Sequence, residues 1–355
     1  MRHRAENAMN LRGLHGLWRL VIALAIAMLW LTPSQRAQAD TTCTVTLGTP
    51  LAFGNVAANG TTDAVATLNV SCATAALSVL GYAQVSLCLD LGPGSASSGL
   101  YAPRRMLNST SDSLDFQVYS DATRTQIWGA TGSTTPSPRT LTLSYGVPVI
   151  TGGSQTATIT LYGRIPANQI LSVGNHTSSF GGADTVLRYA YNESIIGVPS
   201  LPGSCMAGGS GAKTASNAFP FTASANVPAR CNTYVTTDLD FGSIAGTINT
   251  AIDRSSTISL TCTNRTAWNI GLGDGINATG SVRRMRHSSS ANYIAYELYR
   301  DVGRGSRWGT SIGVDTLSGT GNGVAQTVTV YGRAPAPQLP IAGDYNDTVT
   351  VSITY

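Results

Sequence analysis

Tyr119-Ser-Asp-Ala-Thr-Arg-Thr-Gln-Ile-Trp-Gly129 returns about 180 residues later as Tyr299-Arg-Asp-Val-Gly-Arg-Gly-Ser-Arg-Trp-Gly309, with Tyr, Asp, Arg, Trp and Gly in step. Further landmarks recur around it in the same order. Leu51-Ala-Phe-Gly-Asn-Val56 matches Leu239-Asp-Phe-Gly-Ser-Ile244, and Arg104-Arg-Met106 matches Arg283-Arg-Met285. Tyr162-Gly-Arg-Ile-Pro-Ala-Asn-Gln169 matches Tyr331-Gly-Arg-Ala-Pro-Ala-Pro-Gln338, and Cys43 and Cys72 match Cys231 and Cys262. Ordered matches at one long offset predict two domains of one fold, not a short-period solenoid.

The pattern between the landmarks is that of strands. Thr156-Ala-Thr-Ile-Thr-Leu-Tyr162 places Ala157, Ile159 and Leu161 on one face and threonines on the other. Thr327 to Tyr331 and Thr348 to Tyr355 alternate in the same way. Such β-branched alternation, broken by Gly, Asn and Pro, predicts half-buried antiparallel strands and an all-β sandwich in each copy. The domains are expected at 40–193 and 230–355.

Residues 1–39 read as a signal peptide. Arg2, Arg4, Arg12 and Arg19 form a basic start, Leu20 to Leu31 is an uninterrupted apolar run, and Ala37-Gln-Ala39 supplies a small-x-small cleavage site. Those residues hold five of the 22 basic and one of the 18 acidic groups, leaving 17 of each in the exported part. A balance near zero argues against nucleic acid or another polyanion as partner and permits close self-association.

All six cysteines lie beyond residue 39, an even number in an oxidising compartment, so disulfides are expected. The repeat makes Cys43–Cys72 and Cys231–Cys262 equivalent pairs, which leaves Cys88 with Cys205. That last pair would tether the segment between the domains, 194–229, back onto the first domain. There is no CxxC, and His176 and His287 are the only histidines of the exported part, a poor basis for a metal site; no cofactor is expected.

The segment 194–229 has two parts. Residues 195–211 are loop chemistry, in which Ile195 to Val198 is a third apolar loop candidate for a contact surface, expected rather to pack under the Cys205 tether. Phe219-Pro-Phe-Thr-Ala-Ser-Ala-Asn-Val227 instead alternates, with Phe219, Phe221, Ala223, Ala225 and Val227 on one side, and Pro220 suits it to a strand start or an edge. Thus the second copy opens with a patterned strand ahead of Cys231, whereas only Asp40-Thr-Thr separates the cleavage site from Cys43. At the other end the second copy stops at Tyr355, and no residue remains for a further strand.

The Cys spacing, the Leu-x-Phe-Gly turn, the Arg-Arg-Met, the Tyr-x-Asp…Arg…Trp-Gly block, the Tyr-Gly-Arg-x-Pro element and the terminal Gly343-Asp-Tyr-Asn-Asp-Thr-Val-Thr-Val351…Tyr355 together resemble the spore coat protein U family. The resemblance covers essentially the whole exported chain, twice. That family includes subunits of archaic chaperone–usher pili, and the resemblance implies immunoglobulin-like sandwiches that lack a final strand and take one from the next subunit, a strand-addition mode. It implies that 219–227 completes the first domain from within the chain, while the second domain stays open to a donor from another subunit or a chaperone. A subunit that receives a strand and has none to give belongs at the end of a fibre. The expected function is therefore a two-domain tip adhesin, with a periplasmic pilus chaperone, an outer-membrane usher, an adjacent pilin subunit and a host or abiotic surface as partners, passing through the periplasm to the cell surface. The rival reading is a structural shaft or spore-coat component assembled by the same exchange.

An adhesive surface is expected where the first copy is longer than the second: Leu77, Val79, Leu80 and Tyr82 in one insertion, and Val147, Pro148, Val149 and Ile150 in another. For both stretches the alternative is burial as core. Arg104-Arg105 and Arg283-Arg284 are expected to be structural, paired with Asp121 and Asp301, and Trp128 and Trp308 to be packing residues. An enzyme is not expected: no nucleophile motif lies near either histidine, and every cysteine has a partner.

Overall fold

Thirteen-residue runs such as Thr62–Thr74 bury alternate residues, here Ala66, Leu68, Val70 and Cys72, and this period of two builds the molecule. The computed structural model describes residues 40–57, 59–76, 81–132 and 135–355. The first domain holds β1 (Thr41–Thr49), β2 (Ala52–Asn55), β3 (Thr62–Thr74), β4 (Gly81–Leu91), β5 (Arg104–Leu107) and β6 (Ser113–Tyr119). It continues through β7 (Arg139–Val147), β8 (Gly153–Ile165), β9 (Gly174–Phe180), β10 (Thr185–Ser194), β11 (Gly211–Ala215) and β12 (Phe221–Val227). One sheet runs β1-β3-β8-β6-β5-β9-β12-β2 and the facing one β11-β10-β4-β7.

The second domain repeats the plan with β13 (Cys231–Thr236), β14 (Ile252–Cys262), β15 (Ala267–Leu272), β16 (Arg283–His287) and β17 (Tyr293–Tyr299). It ends with β18 (Leu317–Thr320), β19 (Ala325–Ala334), β20 (Tyr345–Asn346) and β21 (Val351–Thr354). Its sheets run β13-β14-β19-β17-β16-β20 and β18-β15-β21. The chain is all-β, two immunoglobulin-like sandwiches in tandem, each with its own apolar core. Disulfides join Cys43 to Cys72 and Cys231 to Cys262 across directly paired strands, and Cys88 on β4 to Cys205 in the loop ahead of β11.

The repeated motifs form one knot in each core. Trp128 is fully buried, its indole N–H donating to Leu89 O at 2.8 Å, and Trp308 donates to Ile270 O at 2.8 Å. The carbonyl of each Trp accepts from a buried guanidinium, Arg104 at 2.6 Å and Arg283 at 2.7 Å. Arg104 also reaches the carbonyls of Leu91 and Gly92 and Gln117 Oε1; Arg283 reaches those of Leu272 and Gly273 and the Glu297 carboxylate. Pairing with Asp121 and Asp301 is therefore corrected. Asp121 caps its own turn by accepting from the Thr125 and Gln126 amides, and Asp301 does the same for Gly305 and Ser306. Burial lowers the Arg104 pKa to about 10, which still leaves a cation at neutral pH, held by carbonyl dipoles and a neutral amide.

The glycine of Tyr-Gly-Arg has a packing reason. A Cβ on Gly163 would meet Phe53 at 2.7 Å and Leu51 at 2.9 Å, and one on Gly332 would meet Leu239 at 2.7 Å. The Leu-x-Phe-Gly segment thus lies directly on the neighbouring long strand in both domains.

The domains meet end to end. Val173 N donates to Asn264 O, Asn264 N to Leu171 O, and the Arg265 guanidinium pairs with Asp112, whose carboxyl it holds down to about 2. On the first-domain side, Leu171 and Val173 follow the C-terminal end of β8 and Asp112 precedes β6. The opposite end of the first domain carries the β7–β8 and β10–β11 connections, beside the end of β3 and the start of β4, as the pairs Thr74↔Gly153, Gly81↔Val147 and Tyr82↔Ser194 require.

Arg104→Met should cost roughly 3 kcal/mol or more, because three strand-end carbonyls and Gln117 lose their donor inside the core. Thermal or urea unfolding checks this; a loss under about 1 kcal/mol would mean the knot is not structural.

Candidate functional site

The two sandwiches differ at one sheet position. In the first domain, β12 lies between β9 and β2, antiparallel to β9 from Phe221↔Phe180 to Val227↔Gly174 and parallel to β2. Ser224 N donates to Leu51 O at 3.0 Å and Val56 N to Asn226 O at 2.9 Å, so both edges of the slot are satisfied. Phe219, Phe221, Ala223, Ala225 and Val227 are all buried in the first core. Phe221 stacks on Phe180 with centroids 4.7 Å apart and planes 11° apart, and Phe180 in turn packs edge-on against Phe116. The strand starts at Phe221, one residue after Pro220, because proline has no N–H to give the ladder. His176 is buried opposite Ala225, and burial holds its pKa below 6.5, so it stays neutral beneath the strand.

In the second domain the same position is a cleft. The pairing of Leu107 with Thr177 and of Arg286 with Asn346 makes β20 the counterpart of β9. Among the described residues none pairs with the other side of β20. The Leu239–Ile244 segment, counterpart of the one containing β2, has no strand assignment there, since it lacks the partner that gives β2 its ladder. Two adjoining cavities of about 540 and 590 Å³ run along this position and share Leu239, Asp240, Met285 and Tyr345. Their floor includes Phe241, Ile258, Leu272, Ile294, Leu298 and Val330. Equivalent apolar residues are correspondingly less covered. Val56 is 3% exposed and Ile244 41%, while Met106 and Phe180 are buried and Met285 and Val349 only half so. Within the cleft Asp347 accepts from the Tyr296 hydroxyl at 2.7 Å and from the Asn277 amide at 3.1 Å, and burial with this carboxylate raises the Tyr296 pKa far above 10.

The expected adhesive residues divide. Leu77, Val79 and Leu80 lie outside the described residues. Tyr82 is half-buried on β4, opposite Gly146. Val147 is corrected to core: it ends β7 on the inward face shared with Leu143 and Tyr145 and is fully buried. Pro148, Val149 and Ile150 lie on the turn that follows and are exposed, Ile150 to 90%. Ile195 to Val198 is also corrected. Pro202 and Cys205 take up the packing against β4, while Ile195, Ile196 and Val198 face solvent, Ile196 to 86%. Both exposed apolar groups thus stand at the end of the first domain away from the second.

β11 escaped the sequence reading. Gly211–Ala215 pairs with β10 from Leu187 to Tyr191, but its Gly, Ala, Lys and Thr carry no apolar alternation that would reveal it.

Fold and cleft together define a class: tandem immunoglobulin-like sandwiches that differ by one strand at the same sheet edge. The sequence pattern of the Spore Coat Protein U domain matches residues 30–181 and again 217–352, and the chain belongs to that family. The second match begins ahead of Phe219, so by sequence β12 opens the second copy, although its side chains lie in the first core. Protein U of Myxococcus xanthus is 39% identical over 107 residues, which are 28% of this chain and 59% of that protein. Among solved structures, a chain of the CsuC–CsuE chaperone–tip adhesion subunit pre-assembly complex from archaic chaperone–usher Csu pili of Acinetobacter baumannii is similar at 15% identity and a TM-score of 0.43, over 88% of this chain and 100% of that one. The CupB6 tip adhesin of Pseudomonas aeruginosa is similar at 12% identity and a TM-score of 0.34, over 89% of this chain and 94% of that one.

Phe221→Asp should destabilise the first domain by at least about 3 kcal/mol, through loss of the stacked ring and placement of a charge in the core. Differential scanning calorimetry reads it out; unchanged melting would mean that β12 does not support the first core.

Proposed function

We propose that this protein is the end subunit of a surface fibre, its first domain completed by its own strand and its second joined to the fibre by a strand from a neighbouring subunit. The observation that carries this reading is a single one: the sheet position that holds Phe221–Val227 in the first domain is an apolar-floored cleft in the second. An unsatisfied sheet edge beside such a floor takes an extended segment readily, because main-chain hydrogen bonds supply affinity and alternate side chains fill the floor. Membership of the Spore Coat Protein U domain family, in two copies, supports a chain built for assembly. The signal-like residues 1–39 and three disulfides support export through an oxidising compartment.

In this account a periplasmic chaperone fills the cleft first, an outer-membrane usher exchanges it for the strand of an adjacent pilin, and the protein ends at the cell surface. Only Asp40, Thr41 and Thr42 separate the cleavage site from Cys43, and with cleavage as early as Pro33 the added Ser34 to Ala39 would still be polar and without the alternation of 219–227. The first domain then points away from the fibre, with Val149, Ile150, Ile195, Ile196 and Val198 foremost. Isolated apolar side chains are ordinary on a protein surface, but apolar groups gathered on two loops at one end mark a contact. They make this end the adhesive one, for a host or abiotic apolar surface.

Mixing the chain, released from its chaperone, with a synthetic donor-strand peptide should give one peptide bound per chain. Two bound peptides would show that both positions exchange and would favour a shaft or coat building block. Ile150→Asp with Ile196→Asp should leave the melting temperature within about a degree or two, as exposed positions do, and reduce attachment to polystyrene several-fold. Unchanged attachment would remove the adhesive role from these loops.

A further inference from the structure

The filled and open strand positions are built from equivalent segments but differ in charge. Pro50, Ala52, Asn175 and Ser178 border the filled one, and their counterparts Asp238, Asp240, Asp344 and Asp347 border the open one. Four neutral residues are thus replaced by four carboxylates. All four line the cleft; among the described residues no Lys or Arg lines it with them, and none forms an ion pair with any of the four. Of the guanidiniums nearby, two are ion-paired away from the cleft, and Arg254, which stands 3.7 Å from the Cβ position of Gly242, and Arg286 pair with none of the four carboxylates. Arg254 donates to the Asp253 carbonyl, Arg283 pairs with Glu297 and Arg333 with Asp253, while Arg286 stands on β16, one strand in from the β20 edge.

The register of the first domain says which donor residues these carboxylates would meet. Thr222, Ser224 and Asn226 are the outward-facing residues of β12, and they are uncharged, as is all of Phe219 to Val227. Ser224 lies opposite Ala52, and Asn226 opposite Asn175. Carried to the second domain, a donor residue in the place of Ser224 lies opposite Asp240, and one in the place of Asn226 opposite Asp344. Asp238, two residues before Asp240, borders the place of Thr222. Asp347 faces inward, opposite the place of Ala223, with its oxygens already accepting from Tyr296 and Asn277.

We infer that the open position selects a donor strand that is apolar on its inward face and basic at its outward positions, and that it discriminates against the uncharged strand Phe221–Val227 of other copies of this chain. The inference rests on the strand-accepting reading of the cleft. Its physical basis is charge complementarity at a rim, which sets register, on-rate and choice of partner more than raw affinity. A neutral strand in a neutral slot and an acidic slot for a basic strand keep self-completion and assembly from crossing.

Three peptides test this on the full chain, by fluorescence anisotropy. One has the sequence of Phe219 to Val227; the others replace Thr222, Ser224 and Asn226 together by Lys or together by Gln. At about 20 mM salt the Lys peptide should bind roughly tenfold tighter than the other two, as expected of a few exposed ion pairs. That advantage should collapse at about 0.5 M salt, where screening is nearly complete, and in the double variant Asp240→Asn, Asp344→Asn. Equal affinity for all three peptides would overturn the charge selection and leave the strand-accepting reading intact. The same holds if the chain's own strand binds as tightly as the Lys peptide. Binding of none of the three would overturn the strand-accepting reading, and this inference with it.

Discussion

The edge between β9 and β2 has an apolar inner face and two rows of backbone groups that need partners, and the rest of the molecule is arranged around how that need is met. Water can satisfy the backbone of an open edge, but it leaves the floor beneath exposed. A strand satisfies both at once. In the first domain Phe219, Phe221 and Val227 each add roughly 1.5–3 kcal/mol of apolar burial, with the ladder in addition. That is a large share of the stability of one ordinary domain. The first domain therefore depends on a segment that, by sequence, begins the second.

One consequence is geometric. From Val227 only Pro228, Ala229 and Arg230 lead to β13, so the strand that completes one sandwich enters the next almost directly. The bonds between Asn264 and the Leu171–Val173 stretch, with the Arg265–Asp112 pair, fix the two bodies end to end. At the far side the Cys88–Cys205 disulfide anchors the loop that brings the chain from β10 to β11 and β12. The completing strand is thus held at both ends. The Arg–Trp knots are indifferent to all this. They are built alike in the filled and the open domain, which explains why the Arg-Arg-Met and Trp-Gly motifs recur in both copies while the flanks of the strand position diverge.

Much of this was legible in the sequence, for identifiable reasons. The repeat gave two domains, and period-two alternation gave strands where one face is buried, as in Thr156 to Tyr162 and Phe221 to Val227. Alternation fails where burial is not one-sided. β11, with its Gly, Ala and Lys, leaves no such trace. Val147 reads like its exposed neighbours because only the register of β7 puts it inside and Ile150 out. The arginine partners are not legible in the sequence, because Asp121 and Asp301 are the obvious repeated carboxylates, yet a turn needs them to cap its amides. Gln117 and Glu297, which accept from the guanidiniums instead, differ between the copies and so leave no repeated signal. The acidic border of the open cleft is present in the aligned copies, but only the strand register shows that Asp240 and Asp344 flank the position that β12 fills in the first domain.

Amide hydrogen exchange on residues 40–355 compares the two strand positions within one molecule and so reads out whether only one of them holds a strand. Amides of Gly174–Phe180 and Phe221–Val227 should exchange only with unfolding of the first domain, while those of Tyr345–Val349 and Leu239–Ile244 should exchange orders of magnitude faster. Comparable protection at both positions would mean that the second sandwich is closed without a donor strand.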